Sequence, residues 1–173
     1  MSKIEVKKYV NSLDKNTLVK LIMDLYSAHK EIKDILEYTI HPNDNAKLEE
    51  YKAIIKQEFY PKRGYEKMRF SVCRKAVKDY KALDPSPFLL ADLMLCIPEY
   101  AAQIANEWGD MQETFYDSAC NNFNAAMKYI EKNQLLSQFE TRIQRILKNS
   151  ESSGYAFPDI MYQIYEEHNK INT

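Results

Sequence analysis

The sequence predicts an all-α protein, and three observations carry that prediction. Glycine is scarce, with 3 in 173 residues, whereas strand-rich folds need many turn glycines. Apolar residues recur at helical spacing along nearly the whole chain. The 6 prolines fall at the edges of those periodic segments, where they start or stop a helix. The pattern implies about eight to ten short amphipathic helices with short connections, so neighbours should pack in antiparallel pairs. Two architectures meet this description: a helical-repeat-like superhelix, which offers a concave face, and a compact irregular bundle, which buries its best surface.

The elements follow in order. A first helix starts after Ser2, with Ile4, Val6, Tyr9 and Val10 as its apolar positions. Asp14 suits the N-cap of a second, in which Leu18, Leu21, Ile22 and Leu25 recur at i, i+3, i+4 and i+7. A break near His29 separates this from a continuation through Ile32, Ile35, Leu36 and Ile40, stopped at His41-Pro42. The next runs from about Asn45 to Phe59 and ends before Pro61. A basic helix spans about Tyr65 to Leu83, terminated by Asp84-Pro85-Ser86-Pro87. Phe88 to Ile97 is the longest apolar run, and Pro98 predicts a break there followed by another helix to Trp108, which Gly109 stops. Asp110 and Glu113 have the spacing of a capping box for a helix reaching about Lys132. Leu135 to Leu147 is amphipathic, and a last helix runs from near Pro158 to about Asn169.

A chain of this length fits one domain, residues 1–173, and buries enough surface to fold without a disulfide or a metal. The first turns are charged throughout and lack the layout of a signal peptide. Phe88–Ile97 is about half the length of a membrane span and holds Asp92. Cys73, Cys96 and Cys120 are odd in number and widely spaced. Reduced thiols in a cytoplasmic protein, with no membrane association, are the expectation.

Charge is distributed unevenly. Residues 61–81 hold eight cations, Lys62, Arg63, Lys67, Arg69, Arg74, Lys75, Lys78 and Lys81, against Glu66 and Asp79. From there to Lys128 no cation occurs, while residues 84–117 hold Asp84, Asp92, Glu99, Glu107, Asp110, Glu113 and Asp117. A net charge of −1 conceals this polarity, which bears on partners rather than fold. On a continuous helix, Arg74, Lys78 and Lys81 fall within about 40° of Lys67, with Lys75 at the flank. Met68, Val72, Ala76, Tyr80 and Leu83 then face the core. Arg69 lies about 200° round, on the apolar side, where an unpaired guanidinium would be costly. Asp92 is alone in its apolar run. The expectation is a buried Arg69–Asp92 ion pair, and the competing one is Arg69 lining an anion pocket.

Chemistry-bearing motifs are few. Asp110, Glu113 and Asp117 share a helix face, as carboxylates do in some metal-dependent nucleotide-processing enzymes, but a second helix would have to supply a partner such as Glu49 or Glu50. That spacing also suits a helix start. His29, His41 and His168 lack zinc-site spacing, no glycine-rich phosphate loop or nucleophile elbow occurs, and Cys120 fits the apolar series Phe115, Ala119, Phe123, Met127. No catalytic residue, metal site or cofactor is assigned.

Several ordered segments are shared with a known group: Leu25-Tyr26, Phe59-Tyr60-Pro61, Ala91-Asp92-Leu93-Met94-Leu95, Glu113-Thr114-Phe115-Tyr116 and then Phe123. Together they resemble an uncharacterised bacterial family, a domain of unknown function spanning nearly this whole length. The resemblance implies a small all-helical cytoplasmic protein and carries over no substrate or catalytic residue.

The leading functional expectation is a non-catalytic module that binds another protein through the basic helix (61–81) beside the acidic segment (84–117). The alternative is nucleic-acid binding, with Lys62, Arg63, Lys67, Arg74, Lys78 and Lys81 on phosphates and Tyr60, Tyr65 and Phe70 available to stack. A metal-dependent enzyme comes last.

Overall fold

The computed structural model describes residues 2–41 and 43–169, so Pro42, the expected helix stop, lies outside the described residues. Among the described residues there are nine helices and no strand. The chain divides into two compact units, Met1–Asn43 and Asp44–Thr173.

The first unit holds α1 (Lys3–Ser12), α2 (Lys15–Ala28) and α3 (Lys30–Ile40). Local chemistry sets their ends. Ser2 Oγ accepts from the Glu5 N–H at 3.3 Å while Glu5 accepts from the Ser2 N–H, a complete capping box. Asp14 accepts from the backbone N–H groups of Asn16 and Thr17, satisfying two donors that the helix itself cannot. His29 in extended backbone separates α2 from α3, and the Tyr26 hydroxyl donates to Glu37 across that pair at 2.8 Å. No residue of these three helices is buried.

The second unit holds α4 (Asp44–Phe59), α5 (Phe70–Lys81), α6 (Pro87–Trp108), α7 (Glu113–Lys132), α8 (Leu136–Ser150) and α9 (Phe157–Asn169). It is the compact bundle rather than the superhelix. Helix α6 lies at its centre, packed by α4, α5, α7 and α8, while α9 covers α7 and α8. The core is formed by side chains such as Ile55, Phe59, Leu93, Ile104, Phe123, Met127, Ile143 and Phe157, each almost wholly excluded from solvent.

The expected break at Pro98 does not occur: α6 runs unbroken through it. Proline inside a helix costs about 3 kcal/mol through the lost donor and a ring clash. Leu90, Leu93, Leu95, Ile97 and Ile104 are all buried on this helix, and burying each contributes about 1.5–3 kcal/mol. Two of them offset the proline. Unbroken, α6 is long and apolar enough by length and composition to cross a membrane, but 67% of that stretch is buried in the unit's interior.

Two other boundaries differ from expectation. Helix α7 begins at Glu113 with Gln112 at its N-cap and no side-chain cap, so Asp110 stands in the preceding loop and the capping box is not formed. The basic helix begins at Phe70 rather than Tyr65, for a reason found at Glu58.

Candidate functional site

Glu58, in the last turn of α4, holds residues 67–69 just before α5. Its main-chain carbonyl accepts from the N–H groups of both Lys67 and Met68, at 3.1 and 2.9 Å. Its carboxylate accepts from the Arg69 backbone N–H at 3.2 Å, from Nε at 2.9 Å and from Nη2 at 2.6 Å. A chain bonded this way cannot also make helical i→i−4 bonds, and Met68 takes a left-handed φ of 49°. The Arg69 contacts hold the Glu58 carboxyl below the usual carboxylate range.

This overturns the Arg69–Asp92 pair. Arg69 precedes the helix instead of lying on its apolar side, its side chain is half exposed, and its partner is Glu58. Asp92 is matched elsewhere. With α6 continuous, Asp92, Cys96 and Glu99 stand at i, i+4 and i+7 on one face, opposite α4 and α8. Arg142 of α8 donates to the Asp92 carboxylate and main-chain oxygen, to Cys96 Sγ at 3.3 Å and to Glu99 at 2.6 and 3.0 Å. Lys52 of α4 reaches Asp92 at 2.8 Å, and Arg145 reaches Glu99 at 2.5 Å. The network is a largely buried clamp tying α4, α6 and α8 together. Its signal in the sequence was the seven-residue spacing of Asp92 and Glu99, hidden by the assumed break at Pro98.

The remaining cations form an open surface. Lys62, Arg63 and Lys67 are exposed in the loop, and Arg74, Lys78 and Lys81 are exposed on one side of α5. Opposite them, Cys73, Ala76 and Tyr80 enter the core. Lys67 belongs to the loop part of this surface and not to the helical stripe. Lys75 pairs with Asp79 at 2.6 Å. None of the six exposed cations joins an ion pair among the described residues. The acidic segment does not neutralise them as one block: Asp92 and Glu99 face inward, and Glu107 accepts from the Tyr60 hydroxyl at 3.2 Å. Of the three rings proposed for stacking, Tyr65 is 90% exposed, Tyr60 is half-buried and Phe70 is buried.

A groove of about 600 Å³ opens beside this surface, at the N-terminal end of α5. Its apolar lining comes from Met68, Phe70, Trp108, Met111 and Phe115, and Arg74 and Asp110 supply the charges. Phe70 and Phe115 meet edge to face at 5.4 Å, and Trp108 is half exposed. The far wall is braced: the Tyr116 hydroxyl accepts from the Met111 N–H at 3.2 Å and donates to the Gly109 carbonyl at 3.1 Å. Arg74 belongs to both the groove and the cationic stripe. No local pattern marks this groove, because its walls are three separate helix ends brought together only by folding.

The acidic pair on α4 and the three cysteines are engaged or buried. Glu49 and Glu50 pair with Lys52 and Lys47 on their own helix. Among the described residues no group of three His, Cys, Asp or Glu side chains is placed to hold a metal ion. All three cysteines are free and buried, and burial pushes the thiols of Cys73 and Cys120 up to about 12. His168 instead bridges α9 to α7, with Nδ1 on Glu131 at 2.5 Å and Nε2 on Asn124 at 2.8 Å.

Comparison with known proteins gives no curated relative and no solved structure that matches the chain. One family model does match, over residues 1–169, and it is described as a family of unknown function, DUF6155. The ordered motifs, the helical fold and a match covering almost every residue agree: the chain belongs to that family.

Proposed function

We propose that the protein is a cytoplasmic protein-binding module whose cationic face, formed by Lys62, Arg63, Lys67, Arg74, Lys78 and Lys81, docks an acidic partner protein. The supporting observation is that all six side chains are exposed and form no ion pair among the described residues, while the carboxylates Asp92 and Glu99 of the following segment are engaged by Lys52, Arg142 and Arg145. Clustered cations of this kind speed encounter with an acidic surface and select against basic ones. Three buried free thiols suit a reducing compartment.

Nucleic acid is the second reading, favoured by Tyr65, whose open ring stands between Arg63 and Lys67 in the sequence and could stack on a base. Fluorescence anisotropy separates the two. A labelled polyglutamate peptide should bind at about 50 mM salt and weaken as salt rises, and Arg74→Glu/Lys78→Glu/Lys81→Glu should abolish binding. Absence of polyglutamate binding at that salt ends the protein-docking reading. Duplex or single-stranded oligonucleotides bound more tightly than polyglutamate, with log K falling steeply against log salt, would favour the second.

A further inference from the structure

Lysines and arginines on an open helix face attract any polyanion, so the stripe alone confers little selectivity. The groove at the head of α5 supplies what the stripe lacks. It is walled by Met68, Trp108 and Met111 over a floor of Phe70 and Phe115, and its volume of about 600 Å³ can seat one or two large apolar side chains. Half-exposed tryptophan beside flexible methionines and an arginine is the composition that concentrates binding energy at interfaces. Arg74 stands at the junction, and from it Lys78 and Lys81 continue along α5 for about 10 Å at 1.5 Å per residue.

We infer that the groove takes the apolar anchor of an acidic peptide segment, one whose carboxylates lie on Arg74, Lys78 and Lys81 while a leucine, phenylalanine or methionine side chain inserts against Trp108. This rests on the protein-docking reading above and specifies its ligand. The geometry fixes the spacing: an extended chain advances about 3.3 Å per residue, so the carboxylates fall within about three or four residues on one side of the anchor. Charge complementarity selects this occupant over a neutral apolar peptide, because the groove opens onto unpaired cations. Asp110, the acidic member of the lining, disfavours carboxylates beside it, so the acidic run leads away along α5 from Arg74.

Trp108 is the one tryptophan of the chain, so its emission reports the groove directly. The test uses the full chain and two labelled 12-residue peptides, each with a run of Glu and Asp, one carrying two leucines at one end and the other serines in their place. Anisotropy reads binding and Trp108 emission reads the groove. The leucine peptide should shift Trp108 emission to the blue and bind at least about tenfold more tightly than the serine peptide, as burial of one large apolar side chain requires. Ser71→Glu and Arg74→Glu, both at exposed positions of α5 that line the groove, should each weaken the leucine peptide with melting temperatures unchanged. Equal binding of both peptides with unaltered emission would overturn the groove assignment and leave the cationic-face reading standing. Binding of neither would overturn both. A blue shift produced by oligonucleotide alone, or by raising the protein concentration alone, would also overturn the inference by assigning the groove to nucleic acid or to a second copy of the chain.

Discussion

Replacing Arg142 with methionine removes the cation that Asp92 and Glu99 share, while nearly conserving volume. The side chains of Arg142, Asp92 and Glu99 are 17%, 18% and 10% exposed, so water cannot restore what is lost. Removing one member of a buried ion set costs about 3–5 kcal/mol, because the charges left behind stay desolvated. Lys52 remains 2.8 Å from Asp92 and Arg145 remains 2.5 Å from Glu99, which places this case at the lower end. A loss of about 3 kcal/mol corresponds to a fall in melting temperature of about 10 °C for a chain of this size. Thermal and urea unfolding followed by far-ultraviolet circular dichroism and by Trp108 emission would measure it. In a double-mutant cycle, Glu99→Gln and Arg142→Met should couple by more than about 1 kcal/mol. A melting temperature within about 3 °C of the parent protein, a change of less than 1 kcal/mol, would refute the clamp.

Other outcomes follow from the same geometry. Glu58→Gln should destabilise by about 1–3 kcal/mol at pH 7 by weakening the Arg69 contacts. Because the folded-state pKa of Glu58 is depressed, its contribution is present above the unfolded value near 4.3 and is lost as pH falls through the folded one, so urea titrations of variant and parent should converge towards pH 3. Burial and the upward-shifted thiols predict that an alkylating reagent at pH 8 leaves Cys73, Cys96 and Cys120 unmodified in the folded protein and labels all three in denaturant, as intact-mass measurement would show. Arg74→Glu/Lys78→Glu/Lys81→Glu should alter melting by only a few degrees, since each side chain is exposed and joins no ion pair among the described residues. A large loss of stability would mean that the stripe holds the fold together instead of serving as a contact surface.

Helix identity was legible because it rests on neighbours in sequence. The helix start after Ser2, the Asp14 cap and the His29 break are all local signals, and each appears where the residues place it. Failures came where a distant group outweighed a local one. Pro98 is a breaker by local rules, but the burial of most of α6 around it overrides it. A helical wheel extended through Lys67, Met68 and Arg69, but the carbonyl and carboxylate of Glu58, from another helix, capture their backbone and the Arg69 side chain. Lys67 and Met68 had matched the periodicity and Arg69 had stood against it, so period alone could not mark where the loop gives way to the helix. The stripe on Arg74, Lys78 and Lys81 was legible because these three sit inside one helix. The groove beside it was not, since Met68, Trp108 and Met111 become neighbours only through tertiary packing.

Helices α1 to α3 display Ile4, Tyr9, Val19, Met23 and Ile40 to solvent and bury none of their side chains. Their hydrogen bonds are therefore held by caps and local pairs worth about 1 kcal/mol each and by a half-buried seam between α2 and α3, with no fully buried side chain among the described residues to add to them. Amide protons of Lys3–Ile40 should trade with deuterium in seconds to minutes, whereas those of Leu93–Ala105 should wait for cooperative opening of the whole second unit.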